Sequence, residues 1–234
     1  MQYLDIVTGT FRHRPNRFIA HVEIEGQEVI CHVKNTGRCR ELLVPGAKLV
    51  LERALTPGRK TPYSVIGVYK GNRLINMDAQ APNKAAGEWL AAGGLPGFPA
   101  PTLIRPEATF GGSRFDFYVE QQDRRAYLEV KGVTLEQGGV AYFPDAPTER
   151  GVKHLRHLTA CLGAGFGAYV LFVVQMADVA YFAPNDAMHP AFGEALRTAA
   201  DAGVGVLAFD CMVEPDAMVL RQPVEVRLGS SAAL

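Results

Sequence analysis

Two domains of different class are predicted by this sequence: a small all-β barrel over residues 1–77 and a mixed-sheet α/β domain over 78–234. Three observations predict them. Short segments rich in β-branched residues, separated by turn residues, fill the first 77 positions. Residues 114–131 alternate apolar and polar at period two on either side of a tight polar turn, as a hairpin does. Beyond it, helix-period stripes alternate with nearly continuous apolar runs, the pattern of helices packed on buried strands.

In the first domain the strand segments are 17–25 (RFIAHVEIE), 28–33 (EVICHV), 47–52 (AKLVLE), 63–69 (YSVIGVY) and 73–77 (RLINM). Gly26, Pro45-Gly46, Pro57-Gly58 and Gly71-Asn72 supply the turns. About five strands in this length suit a closed barrel of the oligonucleotide-binding (OB) kind, whose strands and loops can bind single strands. Its most unusual segment is 31–41, CHVKNTGRCRE, where Lys34, Arg38 and Arg40 surround the turn-forming Asn35-Thr36-Gly37. Cations on a tight loop contact phosphates, and turn amides bind anionic oxygens, so Lys34, Asn35, Arg38 and Arg40 are candidate nucleic-acid ligands.

The second domain opens with a helix within 78–92, starting near Pro82 or Asn83, and a Gly/Pro-rich joint at 93–101. Residues 102–110 form a strand in which Pro106 requires an edge position or a bend. The hairpin 114–131 follows. A loop at 132–148 leads to a helix at 149–162, with Asp145 or Thr148 as its cap. Leu155, Leu158 and Leu162 line its apolar stripe; Arg150, Lys153, His154 and His157 form a basic face opposite. Residues 167–176 (GAYVLFVVQM) read as a strand buried on both faces, with 179–182 beside it. A helix at 188–202, a buried strand at 204–209 and short edge strands over 214–228 complete the chain.

The candidate site lies on the hairpin. Folded symmetrically about Gln122 and Asp123, it sets Phe117 opposite Leu128, Phe115 opposite Val130 and Asp116 opposite Glu129. Directly opposed residues have Cβ atoms about 4.5–5.5 Å apart, where like charges repel. A divalent cation held by Asp116 and Glu129 would offset that repulsion, and Mg²⁺ takes oxygen ligands while keeping waters for chemistry. Lys131 points the same way as Glu129, where it can orient a water or stabilise charge on a phosphate.

With 234 residues and 48% hydrophobic content, the chain can bury a substantial core. No apolar run approaches a membrane span, and the amino-terminal stretch lacks signal-peptide features, which makes the cytoplasm the expected location. Four scattered cysteines without a C-x-x-C predict reduced thiols. Cys31, His32 and Cys39 lack a fourth ligand at zinc spacing. The net charge is zero, but residues 1–75 carry 12 Lys and Arg against 6 Asp and Glu, a +6 half joined to a −6 half. That division suits a basic binding half and an acidic catalytic half.

Asp116 on one strand and E-V-K on the next resemble the PD-(D/E)XK nuclease superfamily. Asn35-Thr36-Gly37-Arg38, Arg114-Phe115-Asp116-Phe117, the stretch LEVKGVTL at 128–135 and YFPDAPTERG at 142–151 resemble the sugar fermentation stimulation protein A family across nearly the full length. The resemblance implies an OB-fold barrel, a restriction-endonuclease-like α/β mixed-sheet domain and association with DNA. It makes Asp116 and Glu129 the metal-binding carboxylates, Lys131 the site lysine, and Glu88 or Glu107 the candidate for a further acid. Phe115 stands where the superfamily has a proline. The expected activity is Mg²⁺- or Mn²⁺-dependent hydrolysis of phosphodiesters in DNA, with RNA as the alternative substrate. Arg150 and Lys153 would border the site. A DNA-binding regulator of sugar-utilisation genes that has lost catalysis is the alternative. A membrane partner is not expected, and a homodimer is one assembly open to the chain.

Overall fold

The first strand of the barrel is not among the expected ones: β1 (Ile6–Asn16) opens on the β-branched Ile6, Val7, Thr8 and Thr10 but also carries Gly9, three basic residues and Pro15. It is long enough to pair on both sides, with β2 (Ile19–Ile24) toward its end and β4 (Lys48–Arg53) toward its start. Register shifts around His13 bend it between the two, as bulges do. Gly9 is required there, because a Cβ would lie 2.6 Å from Val22 Cγ1 and 2.9 Å from the Glu23 carbonyl oxygen. β3 (Gln27–Val33), β5 (Tyr63–Lys70) and β6 (Arg73–Asn76) complete the order β3-β2-β1-β4-β5-β6. Parallel pairing of β3 with β5 closes five of the strands into a barrel, the OB fold. The computed structural model describes residues 1–35, 37, 39–55 and 58–229, so Arg38, Thr36 and Pro57 of the sequence analysis lie outside the described residues.

The second domain is built on a six-stranded mixed sheet of order β15-β14-β12-β9-β8-β7. β7 (Leu103–Phe110), β8 (Ser113–Gln121) and β9 (Arg124–Val133) form an antiparallel meander, with the Pro106 strand at the edge. β12 (Gly167–Val174) and β14 (Gly205–Glu214) run parallel to β9 and to each other; β15 (Ala217–Pro223) closes the far edge. α1 (Ala81–Ala91) packs on one face together with Phe117, Leu128 and Val130. α2 (Glu149–Gly163) and α3 (Pro190–Asp201) cover the other. Thr148 Oγ1 accepts from Gly151 N at 3.1 Å and so caps α2. Each of the fully buried Leu155 and Leu158 contributes about 1.5–3 kcal/mol to the docking of α2.

Two expectations need correction. The stretch 132–148 is not only loop: β10 (Leu135–Gln137) and β11 (Val140–Phe143) form a hairpin. β13 (Tyr181–Pro184) pairs with β11 in this small second sheet and not beside β12, whose two neighbours are already β9 and β14.

The domains are joined by buried polar contacts. Gln175 Nε2 donates to the carbonyls of Asn76 and Asp78 and to Asn76 Oδ1, at 3.0–3.2 Å. Met1 and Tyr3 hydrogen-bond to β15 and its preceding turn, so the first residues belong to the edge of the second sheet. Among the described residues, no helix is long and apolar enough to cross a membrane.

Candidate active site

The hairpin ladder has the predicted register from Gln121↔Arg124 to Phe117↔Leu128 and then ends. At Asp116 the β8 strand changes phase. Its carboxylate replaces the next ladder bond: Oδ2 accepts from Val130 N at 2.7 Å, and Oδ1 accepts from Asn83 Nδ2 of α1 at 2.7 Å. Phe115 is thereby turned to the α2 face, against Tyr127 and His154, instead of lying opposite Val130. Asp116 and Glu129 are therefore neighbours without being a facing ladder pair.

Glu129 is only 4% exposed and points toward α2. Its Oε1 accepts from Lys131 Nζ at 2.5 Å and from His154 Nδ1. Arg150 Nε donates to His154 Nε2 at 3.3 Å, which makes Nε2 the acceptor and leaves Nδ1 to donate to Glu129. Both partners of Glu129 hold the same oxygen. Its other oxygen, Oε2, is buried and has no hydrogen-bond partner. Buried carboxylate oxygens are costly to leave unpaired, so this one marks where a cation fits.

The electrostatics of the two carboxyls differ. Burial pushes Asp116 above its ordinary range, and the nearby Glu129 charge pushes it further; the bonds from Val130 and Asn83 only partly oppose this. Burial also acts upward on Glu129, but His154 and Lys131 outweigh it and hold the group below its ordinary value. Asp116 thus carries a repulsion that these bonds and the Lys131 charge offset only in part, and that a divalent ion would relieve. Among the described residues, no group of three or more His, Cys, Asp or Glu is arranged to hold a metal. Two carboxylates suit Mg²⁺ nonetheless, since it is usually bound by one or two, with water and phosphate oxygens completing the shell.

The remaining candidates separate. Glu88 pairs with the Met1 amine at 2.6 Å and does not join Asp116. Glu107 lies across β7 from Asp116, but its carboxylate pairs with Arg114 at 2.7 Å. Lys34 is committed to Glu52 and the buried Asp78, at 2.9 and 3.1 Å, which leaves it a structural ion pair. Asn35 Oδ1 accepts from Gly37 N at 2.8 Å and shapes the turn. Arg40 is exposed on the barrel. Lys153 donates to the Gly112 carbonyl at 3.2 Å, tying α2 to the β7–β8 turn. Arg150 borders the site through His154.

His154 is the residue that the basic-face reading misplaced. It is buried, three residues from Gly151 and four from Leu158, both on the packed stripe. That spacing was the available signal. The four cysteines are free and buried.

A five-stranded OB barrel ahead of a mixed sheet that presents Asp116, Glu129 and Lys131 defines a two-domain protein with a restriction-endonuclease-like second domain. Family models agree with both halves: an SfsA N-terminal OB domain matches residues 13–77, and a sugar fermentation stimulation protein RE domain matches 80–217. The chain belongs to the sugar fermentation stimulation protein family. It is 53% identical to a homolog from Clostridium beijerinckii over 97% of this chain and 100% of that one. A homolog from Desulfitobacterium hafniense (strain Y51) is 57% identical, covering 97% and 99% of the two chains. The solved structure of Pyrococcus furiosus SfsA in complex with Ca²⁺ superposes with a TM-score of 0.87 at 27% identity, covering 97% of this chain and 98% of that one.

Proposed function

We propose that the protein is a Mg²⁺- or Mn²⁺-dependent nuclease that hydrolyses phosphodiesters of nucleic acid, DNA in preference to RNA. The observation that carries this reading is the buried, unpartnered Oε2 of Glu129 beside Asp116, whose own ionisation is held back by burial and by the Glu129 charge. Glu129 Oε2 and Asp116 would hold the ion. Bound there, the ion would supply polarisation of the scissile phosphate and a lowered pKa for an attacking water. Lys131, held at Glu129 Oε1, is placed to orient that water or to neutralise charge on the phosphate. His154, buried on α2, positions Glu129. The Ca²⁺ in the P. furiosus SfsA structure supports a divalent ion in this family.

The test incubates purified protein with labelled single- and double-stranded DNA and RNA in Mg²⁺, Mn²⁺ or EDTA, beside Glu129→Ala. Cleavage that needs the metal and disappears in the variant is expected; equal cleavage by Glu129→Ala would sink the proposal.

A second reading, a DNA-binding regulator without catalysis, is favoured by the absence, among the described residues, of a metal cluster larger than a pair. It requires nucleic-acid binding that persists in EDTA and no cleavage under any metal.

A further inference from the structure

At the boundary between the barrel and the second domain lies a cleft of about 740 Å³. Arg12, Arg17 and Arg40 stand at its rim, and Leu43, Pro45 and Pro147 give it an apolar wall. None of its described lining residues is acidic. Arg12 is paired with Glu23, whereas none of the ion pairs among the described residues involves Arg17 or Arg40. A further arginine builds the cleft: the Arg14 guanidinium donates to the carbonyls of Asn16, Arg17, Asn35 and Gly37, at 2.5–3.2 Å. It therefore ties the β1–β2 turn to the backbone at Asn35 and Gly37, beside the segments that carry Arg17 and Arg40.

One wall of the cleft adjoins the start of α2. Pro147, on its wall, precedes the Thr148 cap of α2, and Arg150, three residues further on, is hydrogen-bonded to the His154 that holds Glu129.

Building on the nuclease reading, we infer that this cleft binds an unpaired nucleotide of a single-stranded nucleic acid, with its phosphate on Arg17 and Arg40 and its base on the proline-lined wall. Unpaired cations over a concave apolar floor match the two faces of one nucleotide, phosphate and base. A duplex presents a broad convex surface with its bases stacked inside, so only its backbone could enter a cavity of this size.

Fluorescence anisotropy with labelled single-stranded and duplex DNA of equal length, in EDTA across a salt series, tests this. Arg17→Ala/Arg40→Ala is expected to weaken single-strand binding about tenfold and to lower the salt slope by about 1.4, roughly 0.7 for each lost phosphate contact. Arg105→Ala/Arg227→Ala, which removes the same charge away from the cleft, should change neither. Both cleft arginines are exposed, and the single variants provide the same readout should the double variant misfold. Unchanged affinity and slope in the cleft variant, or tighter binding of duplex than of single strand by the wild type, would overturn the assignment. Because the measurement excludes metal, it fails separately from the nuclease reading, which fails if protein that binds the strand never cuts it in Mg²⁺ or Mn²⁺.

Discussion

His154 reaches from α2 to Glu129 on β9 and donates to the same carboxylate oxygen that Lys131 holds, which leaves the second oxygen alone in a buried position. Such a partner fixes the orientation of a metal-binding carboxylate, and losing one typically costs about 10–100-fold in metal affinity. His154→Ala is therefore expected to weaken Mn²⁺ binding within that range, read by calorimetry, and to lower stability by about 1.5–3 kcal/mol through loss of a bond to a charged group. His154→Asn, whose amide can donate in place of Nδ1, should recover most of the affinity. Wild-type Mn²⁺ affinity in His154→Ala would show that the contact orients nothing.

Lys131→Ala should separate chemistry from binding. The ammonium is expected to act on the reacting phosphate or its water, so cleavage should fall by about 100-fold or more while strand affinity in EDTA stays near that of the wild type. Cleavage by this variant at the wild-type rate would remove the lysine from the mechanism.

Gly132, next to Lys131, is a packing requirement. A Cβ there would lie 2.5 Å from Gln175 Oε1 and 2.8 Å from Pro82 Cγ. Gln175 joins the two domains, and Pro82 precedes the Asn83 that bonds Asp116. Gly132→Ala is expected to cost about 1–3 kcal/mol in denaturant unfolding, the usual range for overpacking. An unchanged unfolding midpoint would mean that the interface yields freely.

The pH dependence of stability should carry a signature of Asp210. Burial acts upward on this carboxyl, but the Arg221 guanidinium and the backbone amides of Gln222 and Asp178 outweigh it, so its folded pKa lies below the unfolded value. A depressed carboxyl stabilises the fold above its unfolded pKa, and that contribution is lost as pH falls through the folded pKa. Asp210→Asn should thus cost about 1.5–3 kcal/mol at pH 7. The gap to the wild type should narrow below about pH 4, where the unfolded carboxyl begins to protonate. A gap that stays constant down to pH 2 would contradict this assignment of the shift.

Much of the architecture was legible because it rests on local pattern. The hairpin register from Gln121↔Arg124 to Phe117↔Leu128 followed from period-two alternation. The expected facing pairs Asp116 with Glu129 and Phe115 with Val130 did not form, because the Asp116 side chain takes the Val130 amide. The Pro106 strand lies at the sheet edge as its missing donor requires. β1 was missed although Ile6, Val7, Thr8 and Thr10 signal a strand, since Gly9, the basic residues and Pro15 interrupt the pattern and its pairing is supplied by neighbours on both sides. The small β10-β11-β13 sheet was missed for a related reason: the pairing of β11 with β13 joins segments about 40 residues apart.

By itself the sequence determined the two-domain order, the helices, the hairpin and the proximity of Asp116, Glu129 and Lys131 along it, because these depend on periodicity and turns within short spans. Only the tertiary structure decided which charges are available. It committed Lys34 to Glu52 and Asp78, sent Glu88 to the Met1 amine, and brought His154 onto Glu129. Whether a charged side chain is paired, buried or exposed depends on groups distant in the chain that folding brings within hydrogen-bond distance, and no local pattern encodes that.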